Sequence, residues 1–226
     1  MYPQRCDLSP DGRYFAYFAL KPGSRWPAGE TYLAVSKLPW LYALAAWREL
    51  GTYTRGMYFT DKATSSFPPP DVGSIEELPF GLDDIPADGF AVERRRGWRE
   101  SPLNPPRADN DFWGERRGDA VVMTKPNQLT RERLQVHGLY GAFRNLWVDP
   151  SSRPRYETVD MDGATAHLDD VQWADWSRDG RLLVATIDGQ LQIRDRSSTV
   201  WRVTWAYDTT LETPTPKPAP PDAKRW

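Results

Sequence analysis

The chain has 226 residues, 39% of them hydrophobic and 13% aromatic, with eleven Trp and a formal net charge of −2. That length holds one large all-β domain or two small ones with an ordinary core. The near-neutral charge excludes a global basic field for nucleic acid, the single Cys6 excludes an internal disulfide framework, and no stretch reaches the roughly 20 apolar residues that span a bilayer.

The N-terminal residues 1–7 lack the apolar run of a signal peptide. A lone thiol fits a reducing compartment, so the expected location is cytoplasmic, with no membrane partner. Residues 5–20 hold Asp7-Leu8-Ser9-Pro10-Asp11-Gly12-Arg13 followed by a continuously apolar run. Asp-Gly favours a tight turn because both residues tolerate positive φ. The run that follows, 13–20, reads as a strand buried on both faces. Residues 21–29 are a Pro/Gly loop and 31–35 a strand. Over 39–50, Pro39, three Ala and Gly51 punctuate a helix, whereas Trp40, Tyr42, Leu44 and Ala46 alternate as a strand does. The repeat context described below favours strand.

Residues 56–60 form a short strand. Residues 61–89, rich in Pro and acid over 65–89, form an exposed excursion. Asp88-Gly89-Phe90-Ala91-Val92 reads as a weak third turn-and-strand unit, and Arg94-Arg95-Arg96 follows it. A second loop excursion covers 97–117, with three Pro between 101 and 111. Strands are expected at 119–124, in two apolar runs over 134–148 (the second at 143–148), and at 156–160, where Asp162-Gly163 makes a hairpin. Residues 171–206 carry four consecutive strands, 171–176, 181–187, 190–194 and 199–206, joined at Asp179-Gly180, Asp188-Gly189 and Ser197-Ser198. Residues 1–208 are thus read as one domain. Residues 209–226 are read as a proline-rich flexible tail, with Pro218-x-x-Pro221 as a minimal polyproline ligand.

The segment Asp175-Trp176-Ser177-Arg178-Asp179-Gly180-Arg181 is a near-copy of residues 7–13 at an offset of 168 residues, four steps of 42. A period of about 40–45 residues is that of a propeller blade, a four-stranded antiparallel meander. Ser9, Asp11, Gly12 and Arg13, and again Ser177, Asp179, Gly180 and Arg181, are the structural turn residues. This pattern resembles the turn between the first two strands of blades in WD-repeat and TolB-like propellers, and the Ser-Pro-Asp-Gly-Arg start is similar to that of bacterial propeller-like proteins. The match covers about 50 residues, and the Gly-His and Trp-Asp signatures of WD repeats are absent. The resemblance implies an all-β fold, a small irregular β-propeller of four to five antiparallel blades with long loops. It implies shape and no mechanism.

Chemistry-bearing motifs are sparse. One Cys and two His, His137 and His167, supply no zinc pattern. Asp160-x-Asp162-Gly163 begins like a calcium loop, lacks the next ligand and reads as a turn. No Gly-x-Ser-x-Gly elbow or phosphate-binding glycine loop occurs. His167 near Asp169 and Asp170 is the one base-and-carboxylate arrangement, and Cys6 reads as a small core residue whose counterpart is Ala174. No catalytic, metal or cofactor residues are assigned, and no cofactor is expected. Arg94, Arg95, Arg96, Trp98 and Arg99 form a basic-aromatic patch that, with Trp113, is the candidate partner-binding set. Trp173, Trp176, Trp201 and Trp205 are expected to pack between blades.

The expected function is a noncatalytic platform that binds another protein, as an accessory subunit of a bacterial complex. The alternative is a propeller that binds or hydrolyses a small ligand or carbohydrate with carboxylates at a channel mouth. A third reading, nucleic-acid accessory through 94–99, runs against the overall charge. Convergence of several Asp, Glu or His on one channel mouth separates the first reading from the second.

Overall fold

Both Asp-Gly segments fold as hairpins, and each joins the first two strands of a four-strand meander. The computed structural model describes residues 6–23, 25, 29–48, 56–60, 72–74, 81–84, 90–104, 121–139, 153–198, 200–213, 215 and 217–224. The first meander is β1 (Asp7–Leu8), β2 (Tyr14–Leu20), β3 (Thr31–Lys37) and β4 (Ala43–Arg48), with β6 (Val72–Ser74) added in parallel to β4. The central strands β2 and β3 are buried, as their apolar runs require. β4 settles the two patterns over 39–50 in favour of strand. β5 (Met57–Phe59) pairs with β7 (Leu82–Asp84) and shares a core with this sheet around Phe18, Leu33 and Met57.

The second sheet runs β12 (Thr165–Leu168), β11 (Arg155–Val159), β10 (Arg133–Leu139), β9 (Val121–Pro126), β8 (Arg99–Glu100). The third is β13 (Val171–Trp176), β14 (Leu182–Thr186), β15 (Gln190–Ser197) and β16 (Val200–Asp208). These two sheets share one core that includes Met123, Leu134, Val136, Leu182 and Val184. The Trp176 and Trp201 rings meet at 5.6 Å at that junction. Their indole N–H groups donate to Lys125 O and Thr158 Oγ1. Buried indoles of this kind need such partners. Trp173 and Trp205, expected to pack in the same way, are instead exposed.

The protein is all-β in character, but the described residues form three separate sheets and one strand pair, not a closed propeller. The third Asp-Gly unit is corrected: Ala91–Arg95 is a short helix, α1. Ala, Glu and Arg favour helix, with Glu93 in the first turn and Arg94 and Arg95 in the last. Gly97, at φ +88°, closes it in a Schellman arrangement: Gly97 N–H donates to Arg94 O and Trp98 N–H to Glu93 O. The described part of the expected free tail folds back. Ala223 is buried, Lys37 Nζ donates to Asp222 O, and Lys224 sits over the Tyr42 ring. The run 143–148, residues 88–89 and most of both loop excursions lie outside the described residues. Among the described residues no helix is long and apolar enough to cross a membrane.

The twin turns use the same side-chain bonds. Ser9 Oγ donates to Asp11 Oδ1 (2.6 Å) and accepts from Tyr14 N–H (2.9 Å). Ser177 Oγ donates to Asp179 Oδ1 (2.5 Å) and accepts from Arg181 N–H (2.9 Å). Arg13 and Arg181 each donate Nε–H to the aspartate two residues earlier. These bonds hold Asp11 (chiefly through Ser9) and Asp179 (chiefly through Arg181) down at about 2. The loops differ by one residue: Ser9 N–H closes on Tyr14 O, whereas Ser177 N–H closes on Arg181 O.

Gly12 (φ +71°) and Gly180 (φ +79°) both occupy the left-handed region. A Cβ on Gly12 meets nothing within 4 Å, whereas one on Gly180 lies 3.2 Å from Asn127 Oδ1 and 3.3 Å from Leu129 Cδ1. Asn127 cannot yield freely, because it is buried and its amide bonds Gly180 O, Leu129 N and Thr130 N. Gly12→Ala is therefore predicted to cost about 1 kcal/mol and Gly180→Ala about 2 kcal/mol. Chemical denaturation of the two variants checks this; equal losses contradict it.

Candidate functional site: a central cavity

The first strands of the first and third sheets, together with α1 and β10–β11, wall a cavity of about 760 Å³. Its apolar walls include Phe15, Val92, Trp98, Val136 and Leu139, and Leu8, Leu41 and Trp173 stand partly exposed at its margin. Three carboxylates line it: Asp7, Glu93 and Asp175. Each is held differently.

Asp7, on β1, is 1% exposed. Arg95 Nη2 donates to both of its oxygens at 2.6 Å and also to Leu8 O, and Arg96 Nη2 donates to Oδ1 at 3.2 Å. Phe59 N–H donates to Oδ2 at 2.9 Å. One carboxylate thus ties β1 to α1 and to β5. Asp175 occupies the equivalent position 168 residues later. Its Oδ1 accepts from Lys125 Nζ on β9 (2.5 Å) and from Trp176 N–H (2.7 Å). It ties the third sheet to the second. Buried carboxylates persist where such donors replace water.

Glu93 differs from both. Among the described residues it enters no ion pair, and its carboxyl takes a hydrogen bond only from its own backbone N–H. Burial pushes it up to about 7, against the pull of Arg96 and Arg94 and with a further push from Asp7. Tyr156, opposite, is raised by burial and by the Glu93 charge. The Cys6 thiol is pushed up to about 11 by burial, which makes it inert near neutrality. Its counterpart Ala174 is also buried. Among the described residues no cluster of three His, Cys, Asp or Glu is arranged to hold a metal ion.

The expected partner-binding set divides. Arg95 and Arg96 turn inward onto Asp7, with the Arg95 side chain 13% exposed, and Trp98 is a core residue at 7%. Arg94 pairs with Glu100 at 3.5 Å. Arg99, on β8, is exposed, and Trp113 lies outside the described residues. The eight turn residues lie four by four in the turns between β1 and β2 and between β13 and β14. His167 does not join Asp169 and Asp170; it and His137 both meet Glu157, at 3.2 and 2.8 Å, while Asp170 pairs with Arg194. Asp160 Oδ1 accepts from Asp162 and Ala164 N–H and so makes a turn. Asp7, Glu93, Tyr156 and Asp175 were not singled out by sequence. The available signal was an aspartate at one register position, Asp7 and Asp175, in both copies of the first hairpin strand.

Because Glu93 is protonated more readily when folded (about 7) than in an ordinary carboxyl (4.5), its contribution is fully present below the unfolded value and is lost as pH rises through about 7. Relative to Glu93→Gln, the wild-type protein should lose about 2 kcal/mol of stability between about pH 5 and pH 8. Thermal unfolding of the pair across that range checks this; parallel curves contradict it.

No family model, curated protein or solved structure matches the chain, so the function is argued from this site alone.

Proposed function

We propose that the protein binds a small organic molecule in the central cavity. The observation that supports this most is the convergence of Asp7, Glu93 and Asp175 on one largely apolar space of about 760 Å³. A few polar groups set in apolar walls are the usual make-up of a small-molecule site, and this volume is in the usual range. Aromatic walls give the ligand area to bury; the carboxylates fix its orientation. The same geometry favours reading the three sheets as an open, propeller-like array, because β1 and β13 carry their equivalent aspartates to the same space. The nucleic-acid reading draws no support from a patch whose Arg95, Arg96 and Trp98 are engaged inside the protein.

A second reading, docking of another protein, is favoured by β16. This nine-residue strand ends its sheet with no partner on its outer side among the described residues. Val200, Val203, Trp205 and Tyr207 are all exposed on it, with the last two rings stacked at 6.2 Å. A long, apolar free edge accepts an added strand.

The cavity reading is tested by two-dimensional NMR with a library of aromatic fragments. Binding should shift the indole N–H signals of Trp98 and Trp173. Ala185→Phe, which adds a ring to the cavity wall beside its cross-strand neighbour Trp173, should abolish those shifts while leaving the unfolding midpoint within about 2 °C. Shifts confined to β16, or shifts indifferent to Ala185→Phe, contradict the reading.

A further inference from the structure

We propose that the ligand of this cavity is an organic cation, a protonated amine on an aromatic or short aliphatic body, with Glu93 as its counter-ion; this rests on the cavity being a ligand site. The argument is one of charge accounting around a single space. Asp7 faces two guanidinium groups and Asp175 an ammonium, each within hydrogen-bond distance. Neither has a charge left to offer. Glu93 alone lines the cavity without an ion pair among the described residues.

The groups that face Glu93 sharpen the choice. From its own helix come Arg94, which pairs with Glu100, and Arg96, which bonds Asp7. From β1 comes the Asp7 charge, and from β11 the neutral Tyr156 phenol. Asp175, bonded to Lys125, also lines the cavity. An anionic ligand would meet the Glu93 charge and would have to share Arg96 with the buried Asp7 carboxylate. A cation meets a carboxylate that makes no ion pair among the described residues. Phe15, Trp98, Tyr156 and Trp173 line the cavity, and aromatic rings attract cations by their quadrupole, most strongly where water is excluded. The apolar walls suit the body of such a ligand and its charge suits Glu93.

Binding then requires the ionised form of Glu93, and the cation itself draws that carboxyl down. With Glu93 titrating at about 7 in the free protein, the ionised fraction rises roughly tenfold from about pH 6 to pH 8. Complex formation near neutrality therefore releases a fraction of a proton.

The test is isothermal titration calorimetry with three probes of one shape: 2-phenylethylammonium, 2-phenylethanol and phenylacetate. At about pH 8 the ammonium should bind at least tenfold more tightly than the alcohol, and phenylacetate most weakly. The ammonium affinity should fall about tenfold at pH 6, and its heat near pH 7 should depend on buffer ionisation enthalpy. Glu93→Gln should bring the ammonium to the level of the alcohol. The pH and buffer arms use the wild-type protein, so they stand even if that variant does not fold. Equal affinity for ammonium and alcohol, or a preference for phenylacetate, overturns the cation inference and leaves the cavity reading intact. Failure of all three probes, together with failure of the aromatic fragments, overturns both.

Discussion

The structure turns on a buried carboxylate, Asp7, gripped by Arg95 and Arg96. A charge of this kind is costly to desolvate, and a paired one adds little net stability. Its value is positional. Removal of either partner leaves the other charged in a dry environment, so the chain is confined to arrangements that keep them together. Here the confinement fixes α1 against β1 and β5. With the helix so fixed, Glu93 and Trp98 face the cavity. Asp175 and Lys125 repeat the device at the other wall, where β13 meets β9. Ion pairs at equivalent positions of the two hairpins, Asp7 with Arg95 and Arg96 and Asp175 with Lys125, thus stand on the lining of one cavity.

This division of labour explains why three carboxylates in one cavity have different chemistry. Asp7 and Asp175 are structural anions with local cations. Glu93 lies two and three residues from the arginines that serve Asp7, and makes an ion pair with neither. Its raised protonation follows from that asymmetry and from burial. The aromatic residues divide similarly. Trp176 and Trp201 seal the second sheet to the third and bury their N–H groups on acceptors. Trp173 stands at the cavity margin, and Trp205 lies on an open edge.

Much of the fold was legible because its determinants are local. Asp-Gly turns, period-two patterns and the apolar runs of β2 and β14 need only neighbouring residues to be read. The repeat placed both hairpins at the start of a meander, and the strand reading of β4 followed from it. The site was far less legible, because its partners are distant in sequence. Arg95 is 88 residues from Asp7 and Lys125 is 50 from Asp175. Nothing local distinguishes a solvated arginine run from one that folds onto a buried aspartate. The α1 helix was obscured by reading Asp88-Gly89 as a hairpin. The contrary signal was Gly97, placed one residue past the Arg run as a left-handed helix stop. The closing turn at Pro221–Lys224 was hidden because a proline-rich composition does not record that a later Ala is buried.

The most direct measurement is a double-mutant cycle on the central pair, Asp7→Asn and Arg95→Met, followed by equilibrium unfolding. If the buried pair confines the fold, each single variant loses about 3 kcal/mol or more and the double variant recovers about 2 kcal/mol of the summed loss. Strictly additive losses, within about 0.5 kcal/mol, would mean that Asp7 and Arg95 act independently and that the cavity walls are held by something else.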